Sequence, residues 1–213
     1  MIVDERYVSY MNSLNTGNDA LLTRIEKEAD RDLVPIIRTE TQQFLKTLLS
    51  MHKPAAILEV GTAIGFSSIL MARNNPVSCK ITTIENYAKR IPVAKQNIEE
   101  AGLSEVISLI EGDAAEVLKE LIGPFDFIFM DAAKGQYINF YPEVKRLLCS
   151  GGVLVSDNVL QDGDIIQSRF AVTRRNRTIH KRMREYLYEL THDEMFTTSI
   201  LPLGDGVTVS VKK

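Results

Sequence analysis

The stretch "AILEVGTAIGFSSILMARN" (56–74) decides the fold. Its first residues are a short apolar run, its middle holds Gly61 and Gly65, and its end is a helix-forming segment. A buried strand, a tight turn and a helix in that order form half of a parallel βαβ unit. The same alternation repeats downstream. Strands are expected at "KITTIE" (80–85), "VISLIEGD" (106–113), "FDFIFMD" (125–131) and "GGVLVSDNV" (151–159). Helices are expected at 88–102, 114–122 and 137–148. "FTTSILPL" (196–203), the "GDG" turn (204–206) and "VTVSVKK" (207–213) read as an antiparallel hairpin. The expected fold is a doubly wound α/β domain with a mainly parallel, seven-stranded sheet.

Residues 1 to about 50 read as helices belonging to the same single domain. Asn18 is the expected cap of "NDALLTRIEKEADRD". Phe44, Leu45, Leu48 and Leu49 share one face of the next helix, which Pro54 ends. The basic segment near residue 170 and "HKRMREYLYEL" (180–190) are expected to form one long helix.

With 213 residues, 45% of them hydrophobic, the chain can bury a sizeable core. Its two cysteines, Cys79 and Cys149, match no paired metal spacing and no disulfide framework, which fits a reducing cytosol. "MIVDERYVSY" carries acids where a signal peptide carries bases, and the apolar runs are too short to span a membrane. A cytoplasmic protein without a membrane partner is expected. Net charge is −3, yet Arg169 to Arg184 holds seven Lys/Arg and no Asp/Glu. A positive patch therefore sits on an otherwise acidic chain.

In doubly wound folds, ligands bind at the carboxyl ends of the strands. The first such end is E-x-G-x-x-x-G, formed by Glu59, Gly61 and Gly65. It fails the dinucleotide pattern, because residue 63 is Ala and residue 66 is Phe, and so suits a ligand without a pyrophosphate. Glu85 ends the second strand, where an acid can accept hydrogen bonds from ribose hydroxyls. Asp113, followed by Ala114, can cap a helix or touch a base. Asp131 ends the fourth strand and Asp157–Asn158 the fifth. Each alone suits a turn; together they are hard oxygen donors of the kind Mg²⁺ accepts.

"LEVGTAIGFSS", "TIE", "GDA", "FDFIFMDAAKGQY" and "VSDNV" together resemble the metal-dependent, S-adenosylmethionine-dependent O-methyltransferases of the catechol and caffeoyl-CoA type. The resemblance spans nearly the whole chain. With "DNVL", the ending "PLGDGVTVSVKK" and the basic segment, it is nearest to bacterial enzymes that methylate 5-hydroxyuridine at the tRNA wobble position. It implies S-adenosylmethionine and Mg²⁺ as cofactors. It also implies Asp131, Asp157 and Asn158 as metal ligands and Glu85 on the cofactor ribose. By the same resemblance, Asp113 and Ala114 are expected beside the adenine, and Ile37, Glu59, Gly61 and Ser67 in the cofactor site. The resemblance also implies that Asp131 touches the cofactor amino group.

Related enzymes are commonly homodimers, which the N-terminal helices could serve. Lys134 matches a lysine that catechol-type enzymes use as general base; pairing with a carboxylate, or holding substrate, is the alternative. A tRNA substrate would explain Arg174, Arg175, Arg177, Lys181 and Arg182; a small catechol or phenol would leave them as a solvated helix face or an interface. His180 is expected at the surface, and His52 and His192 in structural roles.

Overall fold

A computed structural model describes residues 2–213. Its strands are β1 (Ala56–Val60), β2 (Lys80–Glu85), β3 (Ile107–Glu111), β4 (Phe125–Met130), β5 (Leu148–Ser156), β6 (Phe196–Leu201) and β7 (Val207–Lys212). They form one sheet in the order β3-β2-β1-β4-β5-β7-β6. The first five are parallel, and β7 runs antiparallel between β5 and β6. The strand order reverses between β1 and β4, which opens a crevice at their carboxyl ends.

Three helices come first: α1 (Glu5–Ser13), α2 (Ala20–Arg31) and α3 (Thr39–His52). Within and after the alternating part lie α4 (Phe66–Asn74), α5 (Ile91–Glu100), α6 (Ala114–Glu120), α7 (Tyr137–Leu147) and α8 (Arg177–His192). The central strands sort their side chains by a period of two. Ile57, Phe127 and Phe129 face a core built with Leu22, Leu45 and Phe66. Leu58, Ile128 and Met130 face a second core built with Tyr137, Val144 and Tyr186. Burying each such side chain contributes roughly 1.5–3 kcal/mol, enough to hold the strand tips in place.

Four local expectations are corrected. The cap of α2 is Asp19, whose carboxylate accepts from the Leu21 and Leu22 amides; Asn18 instead bonds Gln42 and Lys46. The basic segment is not one helix, since α8 begins at Arg177 and Arg174 and Arg175 lie in the turns before it. His180 is buried, at 3% exposure, because it falls on the inner side of the amphipathic α8 with Met183 and Tyr186. Strand β5 also stops at Ser156, short of residue 159. Asn158 takes a left-handed conformation (φ 60°), and the Val159 amide bonds Gly206 O at 2.9 Å. The chain thus leaves the sheet at Asp157 and carries that side chain to the edge.

Candidate active site

A cavity of about 870 Å³ lies over the carboxyl ends of the parallel strands. Gly61, Glu85, Asp113 and Ala114 line one side, and Asp131, Lys134, Asp157 and Asn158 the other. Ile37 lines it from the segment before α3.

Gly61 shows why the first turn needs glycine. Its φ is 104°, and a Cβ there would lie 2.0 Å from the Asp131 carbonyl oxygen. The turn is therefore packed directly against the chain leaving β4. Glu85 accepts from the Ala63 amide on Oε2 (2.8 Å) and from the Asn86 and Tyr87 amides on Oε1 (3.0 and 2.8 Å). These bonds fix the carboxylate in the cavity wall. They also occupy about three of its four acceptor positions, so gripping both ribose hydroxyls requires displacing a backbone donor. Asp113 caps α6 through the Ala115 amide at 2.8 Å and still faces the cavity, so capping and ligand contact coexist.

Glu59 and Ser67 are placed differently from expectation: neither lines the cavity. Glu59 is fully buried and accepts from the hydroxyls of Ser67, Ser68 and Thr83. Burial pushes its carboxyl up to about 7, against the opposing pull of those hydrogen bonds. This network sits behind the wall and ties β1 to β2 and α4.

Opposite, the amides of Asp131 and Asp157 bond Val60 O and Met130 O, each at 3.0 Å, which sets the two side chains on neighbouring strand tips. The Tyr137 hydroxyl lies 3.1 Å from Met130 O and 3.0 Å from Asp157 O, tying those tips from below. Burial raises the pKa of both acids, and Asp131 adds to the rise at Asp157. Lys134 opposes both shifts. Among the described residues Lys134 makes no ion pair. Buried carboxylates are normally paired or bound to a metal. Two repelling acids beside an Asn amide fit a hard divalent cation, whose charge would reverse the repulsion. Asn158 in the left-handed region is also a conformation that clusters at functional sites.

Three participants were not legible in the sequence. Tyr137 ends the quoted "FDFIFMDAAKGQY" but carries no role there. Asp205, from the "GDG" turn, lines the cavity and contributes to the upward shifts of Asp131 and Asp157. Arg38, also in the wall, pairs with both Asp205 and Asp162. Arg38 and Asp205 reach the site only through long-range contacts, whereas Tyr137 follows Asp131 by six residues.

The basic residues flank the cavity rather than line it. Arg182 donates to Gly135 O at 3.2 Å, directly after Lys134, and Ile179 packs against Gly135. Arg177 donates to Val172 O and lies over the Phe170 ring; Arg174 and Arg175 are exposed. Lys181 pairs with Glu185 at 3.4 Å. His52 Nε2 meets Asp126 O at 2.9 Å and His192 Nδ1 meets Tyr188 O at 2.8 Å, and neither histidine lines the cavity.

Known proteins share this fold. A catechol O-methyltransferase of Niastella koreensis is 35% identical over 167 residues, covering 76% of this chain and 75% of that protein. Caffeoyl-CoA O-methyltransferase 1 of Arabidopsis thaliana is 32% identical over 181 residues, covering 78% of this chain and 67% of that protein. A Staphylococcus aureus crystal structure, provisionally named a caffeoyl-CoA O-methyltransferase, superposes with a TM-score of 0.90 at 30% identity. The superposition covers 99% of this chain and 100% of that one. The O-methyltransferase family model matches residues 13–213, which takes in every strand of the sheet and every residue of the cavity wall. The chain belongs to the O-methyltransferase family.

Proposed function

We propose that this enzyme transfers a methyl group from S-adenosylmethionine to the 5-hydroxyl of 5-hydroxyuridine at the tRNA wobble position, with Mg²⁺ as cofactor. The observation that carries the reading is the cationic segment beside Lys134. Arg182 is bonded to the carbonyl of Gly135, so the positive stretch continues from the rim of the cavity. A substrate base reaching the cavity has its phosphates near that stretch. Phosphates are the partner that clustered Lys/Arg bind most strongly.

For the donor, an adenosyl cofactor suits the side holding Glu85, Asp113 and Ala114. Solved O-methyltransferases of the same fold from Bacillus cereus and Streptomyces achromogenes carry S-adenosylhomocysteine and S-adenosylmethionine. Asp131, Asp157 and Asn158 would hold the metal. When bound, Mg²⁺ supplies the positive charge that acidifies a nearby hydroxyl. Lys134 takes the hydroxyl proton on Nζ. S-adenosylmethionine, held beside Glu85, Asp113 and Ala114, would supply an activated methyl group to that oxygen, its sulfur being left as a neutral thioether. The cavity wall keeps the two partners in near-attack geometry.

The second reading is a catechol or related phenol as acceptor, which the names of the relatives favour. One comparison separates the two. Purified enzyme is given a hydroxyuridine-containing anticodon stem-loop or catechol. Charge reversal at Arg174, Arg175 and Arg177 should weaken stem-loop binding and lower its log–log salt slope by about one for each phosphate no longer neutralised. Methylation of the free nucleoside should change little. Ready methylation of catechol, with the RNA untouched, would establish the second reading.

A further inference from the structure

A second concavity, of about 500 Å³, lies between the stretch 167–169 and α8. It shares no residue with the wall of the first. Arg169 enters it from the stretch after β5, and His180, Arg184 and Tyr188 enter it from α8. These last three recur every four residues, so they form one stripe along the helix, about 6 Å apart on its axis. Arg182, which bonds Gly135 at the rim of the cavity, stands about half a turn around the helix from that stripe. The same helix therefore presents one side to the cavity loop and another to the groove.

The stripe is poorly satisfied within the chain. His180 is 3% exposed, and its Nε2 is buried with no hydrogen-bond partner among the described residues. A buried polar atom left alone costs free energy that a bound group recovers. Among the described residues Arg169 and Arg184 form no ion pair; Arg184 only donates to Ile165 O at 3.2 Å. Lys181 is paired with Glu185, and Glu189 lies about 7.5 Å beyond Arg184 along the axis, so the groove keeps a surplus of positive charge. One turn after Arg184, the Tyr188 ring is 61% exposed and is braced by His192, stacked at 4.0 Å. Two unpaired guanidinium groups beside an unpartnered imidazole suit a phosphate. A braced, exposed aromatic ring suits a nucleic-acid base.

We propose that this groove binds a second nucleotide of the RNA acceptor, its phosphate held by Arg169, Arg184 and His180 Nε2 and its base stacked on Tyr188. The inference rests on the tRNA reading proposed above and adds to it a contact outside the cavity, apart from Arg174, Arg175 and Arg177. A turn of the His180 ring brings Nε2 to the phosphate, where its N–H donates to an anionic oxygen. Phosphate contacts accept any sequence and a stack accepts any base, so the groove gives affinity and register rather than recognition of the target base. A free nucleoside in the cavity cannot touch both sites, because α8 stands between them. A nucleotide chain passing over the helix can.

The test uses the full-length enzyme with a hydroxyuridine-containing anticodon stem-loop and with the free nucleoside. Stem-loop Kd and its salt dependence, KM and kcat for both acceptors, and melting temperature are measured for the double variant Arg169→Gln/Arg184→Gln, for Tyr188→Ala and for Tyr188→Phe. Neutralising both arginines should weaken stem-loop binding severalfold and lower its log–log salt slope by about 0.7, for the one phosphate no longer neutralised. Tyr188→Ala should weaken binding by about tenfold with the slope unchanged, and Tyr188→Phe should restore it, since either ring stacks. Nucleoside kinetics should stay near wild type throughout. In the wild type, the His180 ring resonances should shift on addition of stem-loop and stay in place with nucleoside. Stem-loop affinity and slope that remain at wild-type values in the arginine variant and in Tyr188→Ala would overturn the groove while leaving the tRNA reading intact. So would an equal loss with the nucleoside, which marks a structural role. A wild-type enzyme that leaves the stem-loop unmethylated removes the tRNA reading, and the groove with it.

Discussion

The two sides of the cavity treat their carboxylates in opposite ways. On the side of β1 to β3, Glu85 is met by three backbone amides and Asp113 by one. On the side of β4, β5 and the last hairpin, Asp131, Asp157 and Asp205 raise one another's pKa or are raised by burial, with Lys134 and Arg38 as the opposing charges. The first side is electrostatically complete without a ligand. The second gathers three acids against two opposing charges, so burial drives its carboxyls toward the protonated form unless a cation is bound. Satisfied acceptors hold a cofactor pocket in shape, whereas unsatisfied ones give a metal and a polar substrate somewhere to bind.

Removing a charge from the second side tests this contrast most severely. Asp157→Ala should abolish methyl transfer while cofactor binding persists, and chelation of wild-type enzyme should mimic it. Full activity in exhaustively chelated enzyme would defeat the contrast. The same variant should stabilise the metal-free protein. The folded pKa of Asp157 is raised, so its contribution to stability is present at low pH and lost as pH rises through that value. Chemical denaturation of the metal-free variant at pH 8 should therefore give a higher midpoint than wild type.

Lys134→Ala should lower kcat by about 10²–10⁴-fold if the lysine is the base, with cofactor affinity little changed. The defect should shrink as rising pH ionises the acceptor hydroxyl without help. A defect constant across pH, accompanied by weaker acceptor binding, would move Lys134 from proton transfer to positioning. The pH–rate profiles of the two enzymes decide between these outcomes.

Glu59 lies behind both sides, and its prediction concerns stability. Its carboxyl is raised from 4.5 to about 7. The folded state therefore binds a proton that the unfolded state releases between these values. Stability falls as pH rises through that window, by on the order of 3 kcal/mol for the full shift. Glu59→Gln should flatten this part of the stability profile, read by urea denaturation from pH 4.5 to 8.

On the first side, Glu85→Ala should weaken S-adenosylmethionine binding by roughly 1.5–3 kcal/mol, measured by calorimetry. Unchanged affinity would mean that Glu85 serves only to hold the Ala63, Asn86 and Tyr87 amides, and that the cofactor ribose is gripped elsewhere.

How much the sequence reveals follows the same division. The alternation of strands and helices was legible because apolar runs of period two and 3.6 record burial directly. So were Gly61, Glu85, Asp113, Asp131, Asp157 and Asn158, since each stands at or just beyond the end of a recognisable strand. Glu59 was misplaced by the same logic. It lies within β1, and the direction of a strand side chain depends on register that the local pattern E-x-G did not resolve. The Asn18 cap failed because two adjacent residues have equal capping chemistry, and packing of α2 chose Asp19. His180 looked superficial because its neighbours are charged, but one side of α8 is buried whatever the mean polarity of the segment.

Local pattern alone settles the order of elements, the doubly wound sheet and the acids at successive strand ends, because each of these depends on residues close together in the chain. What stands beside those acids is a matter of folding in three dimensions. Tyr137 reaches under the tips of β4 and β5, Asp205 enters from the antiparallel hairpin, and Arg38 arrives from the segment before α3. These residues are separated by up to 167 positions, from Arg38 to Asp205. The arrival of Asp205 is set by the placement of β7 beside β5, a long-range pairing that no local periodicity encodes.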